Sequence, residues 1–343
     1  MSVFDLFVVF SSDAKESHTV RTYVEREMTM RRENSRSHRR IATLARHLTT
    51  TTTTTNERHR KRRIGIIGYG KVGRFLCERV RAHPDVELAF VIDLFTSDTV
   101  LRDETVPSSA KLERIEDFES TRPDLVVEVA HPDVVKKFGL MILRKCNLMV
   151  ASTTAMADSA VGDRMMKEAT RPSGFGLYLA SGALWGGRDI QKMSENGTLR
   201  ELTITMVKHP ASLKLKGLAA TKLSDAEGRD GEITLYDGPL RDLCFMAPNN
   251  VNTMATAGFA ALKTTGFEKT RAILRCDRGL RETIITVDAI GTVPGAEKDL
   301  RIFSRRVNPS VTGAVTGQGT LLAFFSSLLV ASTGKHGDGY HLC

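Results

Sequence analysis

The residues whose types and spacing can do chemistry begin at Gly68. Gly68-Tyr69-Gly70-Lys71-Val72-Gly73 carries G-x-G-x-x-G directly after the apolar, β-branched run Ile64-Gly65-Ile66-Ile67. From Lys71 the period changes, and Val72, Phe75, Leu76 and Val80 recur at helical spacing. Between a strand and a helix this pattern gives each glycine a task. Gly68 makes the tight turn, Gly70 lets the backbone approach a pyrophosphate, and Gly73 lets helix and strand pack closely. The helix N-terminus adds unpaired N–H groups and the positive end of a dipole. With 27 glycines in 343 residues the spacing alone is weakly specific, and its context supplies the weight. A second strand, 87–92, ends in Asp93, 20 residues after Gly73, where a carboxylate accepts from a ribose 2′-OH. Gly68, Tyr69, Gly70, Lys71, Val72, Gly73 and Asp93, with Ala130 at a later strand end, are the candidate dinucleotide site. A carboxylate at position 93 repels a 2′-phosphate, which favours NAD over NADP; Thr96, Ser97 and Arg102 lie close enough to blur that preference.

Two further stretches bear on chemistry. In Glu128-Val129-Ala130-His131-Pro132 a buried strand ends in a carboxylate, small residues and a histidine. That is the carboxyl edge, where ligands bind in open α/β sheets. His131 is a candidate proton-transfer group there, or simply the start of a helix. Ala180-Ser181-Gly182-Ala183-Leu184-Trp185-Gly186-Gly187 follows a short strand, 176–179, and its small residues allow close backbone approach to the nicotinamide end of a cofactor. Trp185, the one tryptophan, is either a lid over the ring or core.

The elements that must position these residues read as follows. Strands fall at 64–67, 87–92, 124–130 and 147–152, and helices at 71–82, 133–144 and 158–169. Alternation with short loops implies a parallel sheet covered on both faces. From 199 to 307 the character changes. Segments 199–207, 232–236 and 282–290 alternate with period 2, the mark of a half-solvated sheet, and Arg301-Ile302-Phe303 adds a further strand. Asn249-Asn250-Val251-Asn252 precedes a helical run of small residues, 253–262, and a final apolar helix, 319–332, returns to the first domain. The fold class is α/β: a doubly wound parallel sheet with a second α+β domain on an open mixed sheet. The first domain comprises 61–182 plus 308–343 and the second 183–307.

Length and composition, 343 residues with 41% hydrophobic and 26% charged, suit a globular chain of two domains. Five widely spaced cysteines, without a CxxC pair, read as reduced thiols of a cytoplasmic protein rather than a disulfide framework or metal site. The longest apolar run, 321–331, is too short to span a membrane. The net charge of +9 is concentrated: residues 1–63 hold 14 Lys+Arg against 7 Asp+Glu, which leaves the rest near neutral and gives no sign of nucleic-acid binding. Residues 1–60, with the threonine run 49–55, are expected to be a disordered basic extension, since they bury too little apolar surface to offset ordering entropy.

Taken together, the glycine fingerprint, Glu128-Val129-Ala130-His131-Pro132, Ser181-Gly182-Ala183-Leu184-Trp185-Gly186, Asn250-Val251-Asn252-Thr253-Met254-Ala255 and Arg306-Val307-Asn308-Pro309 resemble the L-aspartate dehydrogenase family. The resemblance runs in one order from about 62 to 343. It implies a Rossmann domain, a mixed-sheet catalytic and dimerisation domain, and a homodimer. It also implies NAD or NADP as cofactor, and oxidation of L-aspartate to iminoaspartate, then oxaloacetate and ammonia, feeding NAD biosynthesis. On the matching positions, Ala183 and Asn252 are the cofactor-contacting alanine and asparagine.

One departure stands out. Members of that family carry an active-site histidine shortly after an aspartate that matches Asp277. Here the window Leu280-Arg281-Glu282-Thr283-Ile284-Ile285 holds none. Such an imidazole is expected to activate water for attack on the imine. Its loss strikes imine hydrolysis harder than hydride transfer, which needs orientation and the cofactor. His209, in Lys208-His209-Pro210, is the candidate substitute base. Lys208 is the candidate partner for a substrate carboxylate, with Arg305 and Arg306 behind it. A second reading is a dinucleotide-binding protein with lost or altered turnover, a sensor, scaffold or imine reductase.

Overall fold

A computed structural model of the chain describes residues 60–333 and 339–343. The extension expected over 1–60 lies outside the described residues but for Arg60. The strands are β1 (Arg62–Ile67), β2 (Val86–Ile92), β3 (Leu125–Glu128), β4 (Asn147–Val150), β5 (Leu177–Leu179), β6 (Leu199–Lys208), β7 (Ile233–Pro239), β8 (Arg271–Cys276), β9 (Glu282–Gly291), β10 (Leu300–Pro309) and β11 (Tyr340–Leu342). Five helices carry the argument: α1 (Lys71–Ala82), α2 (Ser159–Ala169), α3 (Gly187–Glu195), α4 (Asn252–Ala260) and α5 (Gln318–Thr333).

The first sheet is parallel, in the order β11-β5-β4-β3-β1-β2. Its strands are continuous apolar runs because both faces are covered. In β3, Leu125 and Val127 point into a cluster with Leu76 and Val80 of α1 and with Phe324 and Leu328 of α5, while Val126 points into the cluster on the other face. The C-terminal helix therefore does return to the first sheet.

The second sheet is mixed, in the order β10-β9-β6-β8-β7, with only the β6–β8 pair parallel. One face is core: Leu202, Ile204 and Met206 of β6 with Ile285, Val287 and Ala289 of β9 join a cluster that also holds Leu148 and Leu179 of the first sheet. The other face shows half-buried and exposed positions, among them Thr203, Thr205, Thr286, Phe303 and Val307. The architecture is the two-sheet α/β arrangement read from the sequence, a Rossmann-type sheet with a second mixed sheet.

One local reading changes, and the structure adds two strands that no local pattern announces. The expected helix 133–144 is Pro132–Val134 and Leu140–Leu143 joined through a π-helical turn at Val135–Gly139. Strand β8 shows no clean alternation because both of its faces are largely buried; its position beside β6 is a long-range fact. Strand β11 is three residues long and pairs at the sheet edge with β5, too short to show a period.

Candidate active site

The glycine turn has the geometry of a dinucleotide cradle. Gly68 takes φ +106°, a conformation L side chains rarely adopt, and a Cβ there would stand 2.9 Å from the Ala130 backbone. A Cβ on Gly73 would stand 1.9 Å from the Gly68 carbonyl oxygen, whereas one on Gly70 would meet no protein atom within 4 Å. Gly70 thus faces open space at the start of α1. That helix has no side-chain cap and no acidic residue in its first turn, so its leading N–H groups are presented outward to an anion. These residues fit a bound NAD(P) pyrophosphate.

Asp93 is buried and already engaged. It accepts from the N–H of Phe95 (3.0 Å), Thr96 (3.2 Å) and Tyr69 (3.3 Å) and from the Thr96 hydroxyl (2.9 Å). Burial alone would raise its pKa, but these donors outweigh it and hold the carboxyl below its ordinary range. Tyr69 is buried too, its hydroxyl donating to Asp103 at 2.9 Å, with the Arg74 guanidinium over its ring. Burial and that bond push the phenol up to about 12. Val72 packs partly buried on the α1 side of the sheet, and Lys71 reaches the Thr316 carbonyl at 3.4 Å.

At the β3 end, Glu128 is fully buried and gathers the N–H groups of Ala130 (2.8 Å), His131 (2.9 Å) and Ser152 (3.1 Å) and the Ser152 hydroxyl (2.9 Å). Burial raises its pKa against the pull of those donors. It ties the β3 and β4 ends together. His131 takes the helix-start role: its Nδ1 accepts from Asp133 N–H at 3.2 Å, and its ring meets exposed Phe95 edge-on at 5.8 Å. His209 repeats this, its Nδ1 accepting from Ala211 N–H at 3.1 Å to start a 3₁₀ turn.

The second pocket lies where the two sheets meet. Ala183, Lys208, Asn252, Thr283, Ile285 and Asn308 line it, with the loop residues Val315 to Gly317 above. The Gly182 turn (φ +56°) carries Ala183 in. Thr154 donates to the Asn252 side-chain oxygen from its N–H (3.1 Å) and hydroxyl (3.0 Å), which fixes the orientation of the amide. Lys208 is buried, and its side-chain Nζ donates to the Val315 carbonyl at 2.8 Å. Burial pushes its ammonium down to about 8. Among the described residues, no carboxylate, imidazole or second ammonium lines this pocket.

Strand register explains the grouping. Asn308 pairs with Thr283, and Val207 pairs with Ile284, so Asn308, Thr283 and Lys208 fall in one row across β10, β9 and β6. In the histidine-free window, Thr283 and Ile285 point inward and Ile284 outward. Arg305 and Arg306 separate on the same principle. Arg305 is exposed on the outer face, while half-buried Arg306 pairs with Ile285 and reaches the Gly182 carbonyl at 3.5 Å. Burial lowers its pKa. Trp185 is neither core nor buried lid: it is 69% exposed, beside Arg306 and Val307.

The pocket thus brings together Lys208, Ala183 and Asn252; His209 and His131 are not in its lining. Sequence reasoning missed Asn308 and the inward place of Thr283. The period-2 pattern of β10 carried the signal, since Arg306 and Asn308 stand two apart on one face.

The family described as "Aspartate dehydrogenase, C-terminal" matches residues 189–327, and "Homoserine dehydrogenase, NAD binding domain" matches 68–179. The chain is 39% identical over 285 residues to the aspartate dehydrogenase domain-containing protein of Danio rerio, covering 82% of this chain and 98% of that one. It is 29% identical over 231 residues to the L-aspartate dehydrogenase of Methanococcoides burtonii, covering 66% and 83%. The solved aspartate dehydrogenase from Thermotoga maritima shares the fold, with TM-score 0.54, 20% identity, and 78% and 94% coverage. On these grounds the chain belongs to the aspartate dehydrogenase domain-containing protein family, a branch of NAD(P)-binding oxidoreductases.

Proposed function

We propose that this chain is an NAD(P)-dependent dehydrogenase that oxidises L-aspartate to iminoaspartate, which gives oxaloacetate and ammonia or feeds NAD biosynthesis. The observation that carries the reading is the pocket at the sheet junction, where buried Lys208 shares a lining without carboxylates with Ala183 and Asn252, the positions that the family resemblance gives to the cofactor. A lining free of carboxylates admits an anionic substrate without like-charge repulsion. Arg306 on the same inner face, beside the Gly182 turn, supplies a cation for a substrate carboxylate in the bidentate manner guanidinium allows. A bound nicotinamide supplies the hydride acceptor; the chain's own residues bind, orient and dry the substrate beside it.

One observation favours a second reading, an imine reductase or silent binder. Thr283 and Ile285 hold the inward positions of the window that lacks a histidine, and neither activates water. Further parts of the proposal are a homodimer, formed through the outer face of the mixed sheet, and a cytoplasmic location, in keeping with five free cysteines.

The deciding experiment is reduction of NAD⁺ or NADP⁺ by the full chain with L-aspartate, with oxaloacetate measured separately. Aspartate-dependent reduction is expected, with oxaloacetate lagging. Ile285→His places an imidazole in the pocket and is expected to raise oxaloacetate formation about tenfold or more, within the usual span of general-base catalysis. Dinucleotide binding without reduction by aspartate, together with oxidation of NADH by oxaloacetate and high ammonia, selects the imine reductase.

A further inference from the structure

We propose that Lys208 is the catalytic proton acceptor of this site, taking a proton from the substrate ammonium rather than pairing with a substrate carboxylate. The inference rests on the aspartate reading above and adds to it the residue that moves the proton. Lys208 is the one side chain lining the pocket that exchanges protons; its companions there are amides, hydroxyls, apolar groups and backbone. Both histidines that sequence analysis favoured are turned to helix starts, each with Nδ1 occupied by a backbone N–H. The row that holds Lys208 runs Asn308, Thr283, Lys208, Cys276 across four adjacent strands. None of its neighbours brings a charge, and Cys276 is itself buried, which raises its thiol pKa.

The hydrogen bonding suits an amine. A neutral Lys208 donates one N–H to the Val315 carbonyl at 2.8 Å and keeps a lone pair for the pocket. A permanent ammonium at the same place has further donors to satisfy and no anion beside it, an expensive state for a buried charge. Its depression to about 8 by burial agrees with this division. Arg306, which cannot give up its proton, is left for the carboxylate.

The step balances as follows. The substrate N–H bond breaks and its proton passes to Lys208 Nζ, which becomes an ammonium. The Cα–H bond breaks with its electron pair leaving as hydride to the nicotinamide dinucleotide oxidant. The freed nitrogen lone pair closes the C=N bond, so the substrate leaves as an iminium, oxidised by two electrons.

The test uses the full chain and the variants Lys208→Arg and Lys208→Met. Lys208→Gln, which keeps a donor for Val315, is the reserve if either fails to fold by its melting curve. Dinucleotide binding by fluorescence and succinate binding by thermal shift are measured beside kcat and KM. The expected result is a loss of about 100-fold or more in kcat for arginine and methionine alike, with dinucleotide and succinate affinities within about threefold of the parent. The rising limb of kcat/KM near pH 8 disappears with it. An arginine variant that keeps kcat, with a methionine variant that loses succinate binding and raises KM, would overturn the proton-acceptor role and leave the aspartate reading standing. A parent chain that binds dinucleotide but never reduces it with aspartate would overturn both.

Discussion

At the scale of residues, two glycines three positions apart make opposite predictions. Gly73→Ala drives a Cβ to 1.9 Å from a backbone oxygen, so the turn must shift and the protein loses stability, by about 1–3 kcal/mol as for other overpacked sites. A Cβ on Gly70 meets no protein atom within 4 Å, so Gly70→Leu should melt like the parent, yet its side chain is expected to fill the space of the pyrophosphate and abolish dinucleotide binding. Parallel melting and fluorescence titrations check both. Lys208 supplies a pH signature. Its folded pKa of about 8 lies below the ordinary 10.5, so between those values the unfolded chain binds the extra proton. Stability therefore rises with pH across that window, and below it the buried lysine costs about 3 kcal/mol. Lys208→Met is expected to be more stable than the parent at pH 7, with the difference vanishing near pH 11. Urea denaturation of the pair measures this. Buried thiols titrate with the opposite sign but cancel in the difference.

At the scale of elements, the short C-terminal strand does more than close a sheet edge. Cys343 accepts from Ser181 N–H at 2.6 Å and donates to the Leu179 carbonyl at 3.0 Å, which pins the start of the turn that carries Ala183. Leu342 is buried, Tyr340 meets Phe259 edge-on at 4.9 Å, and His341 stacks on Tyr178 at 5.0 Å. Removing residues 340–343 should cost about 3 kcal/mol from the buried leucine and the ring contacts. It should also weaken dinucleotide binding beyond what the lost stability explains; denaturation and fluorescence titration read the two separately. The loop between β10 and α5 shows a comparable economy. Lys208 and Lys71, one from each pocket, donate to its consecutive carbonyls Val315 and Thr316.

At the scale of the whole molecule, no layer of the described residues covers the outer face of the mixed sheet at β9 and β10. Phe303 is 61% exposed there and Val307 44% exposed, flanked by the ion pairs Arg301–Asp288 and Arg271–Asp237. A second copy of the chain is expected to cover this exposed apolar strip about a two-fold axis. Sedimentation should find a dimer for the parent and a monomer for Phe303→Glu. A monomeric parent would exclude the interface. Among the described residues no helix is long and apolar enough to cross a membrane.

Much of this was legible along the chain. The β1–turn–α1 unit, the parallel-sheet strands and the alternating strands β6, β7 and β9 declare themselves because each depends on a local period or on turn chemistry that only glycine satisfies. The cradle residues follow directly, since they are consecutive. Tertiary structure alone decided which polar side chains share a pocket. Lys208, Thr283 and Asn308 come from strands separated by scores of residues, and only inter-strand register puts them in one row and sends Arg305 outward and Arg306 inward. It likewise decided that His131 and His209 cap helices, because a ring nitrogen's partner is a backbone N–H placed by the following turn. A sequence shows which groups can do chemistry. Pairing distant strands selects which of them meet, since burial and register are properties of contacts between segments rather than of any one segment.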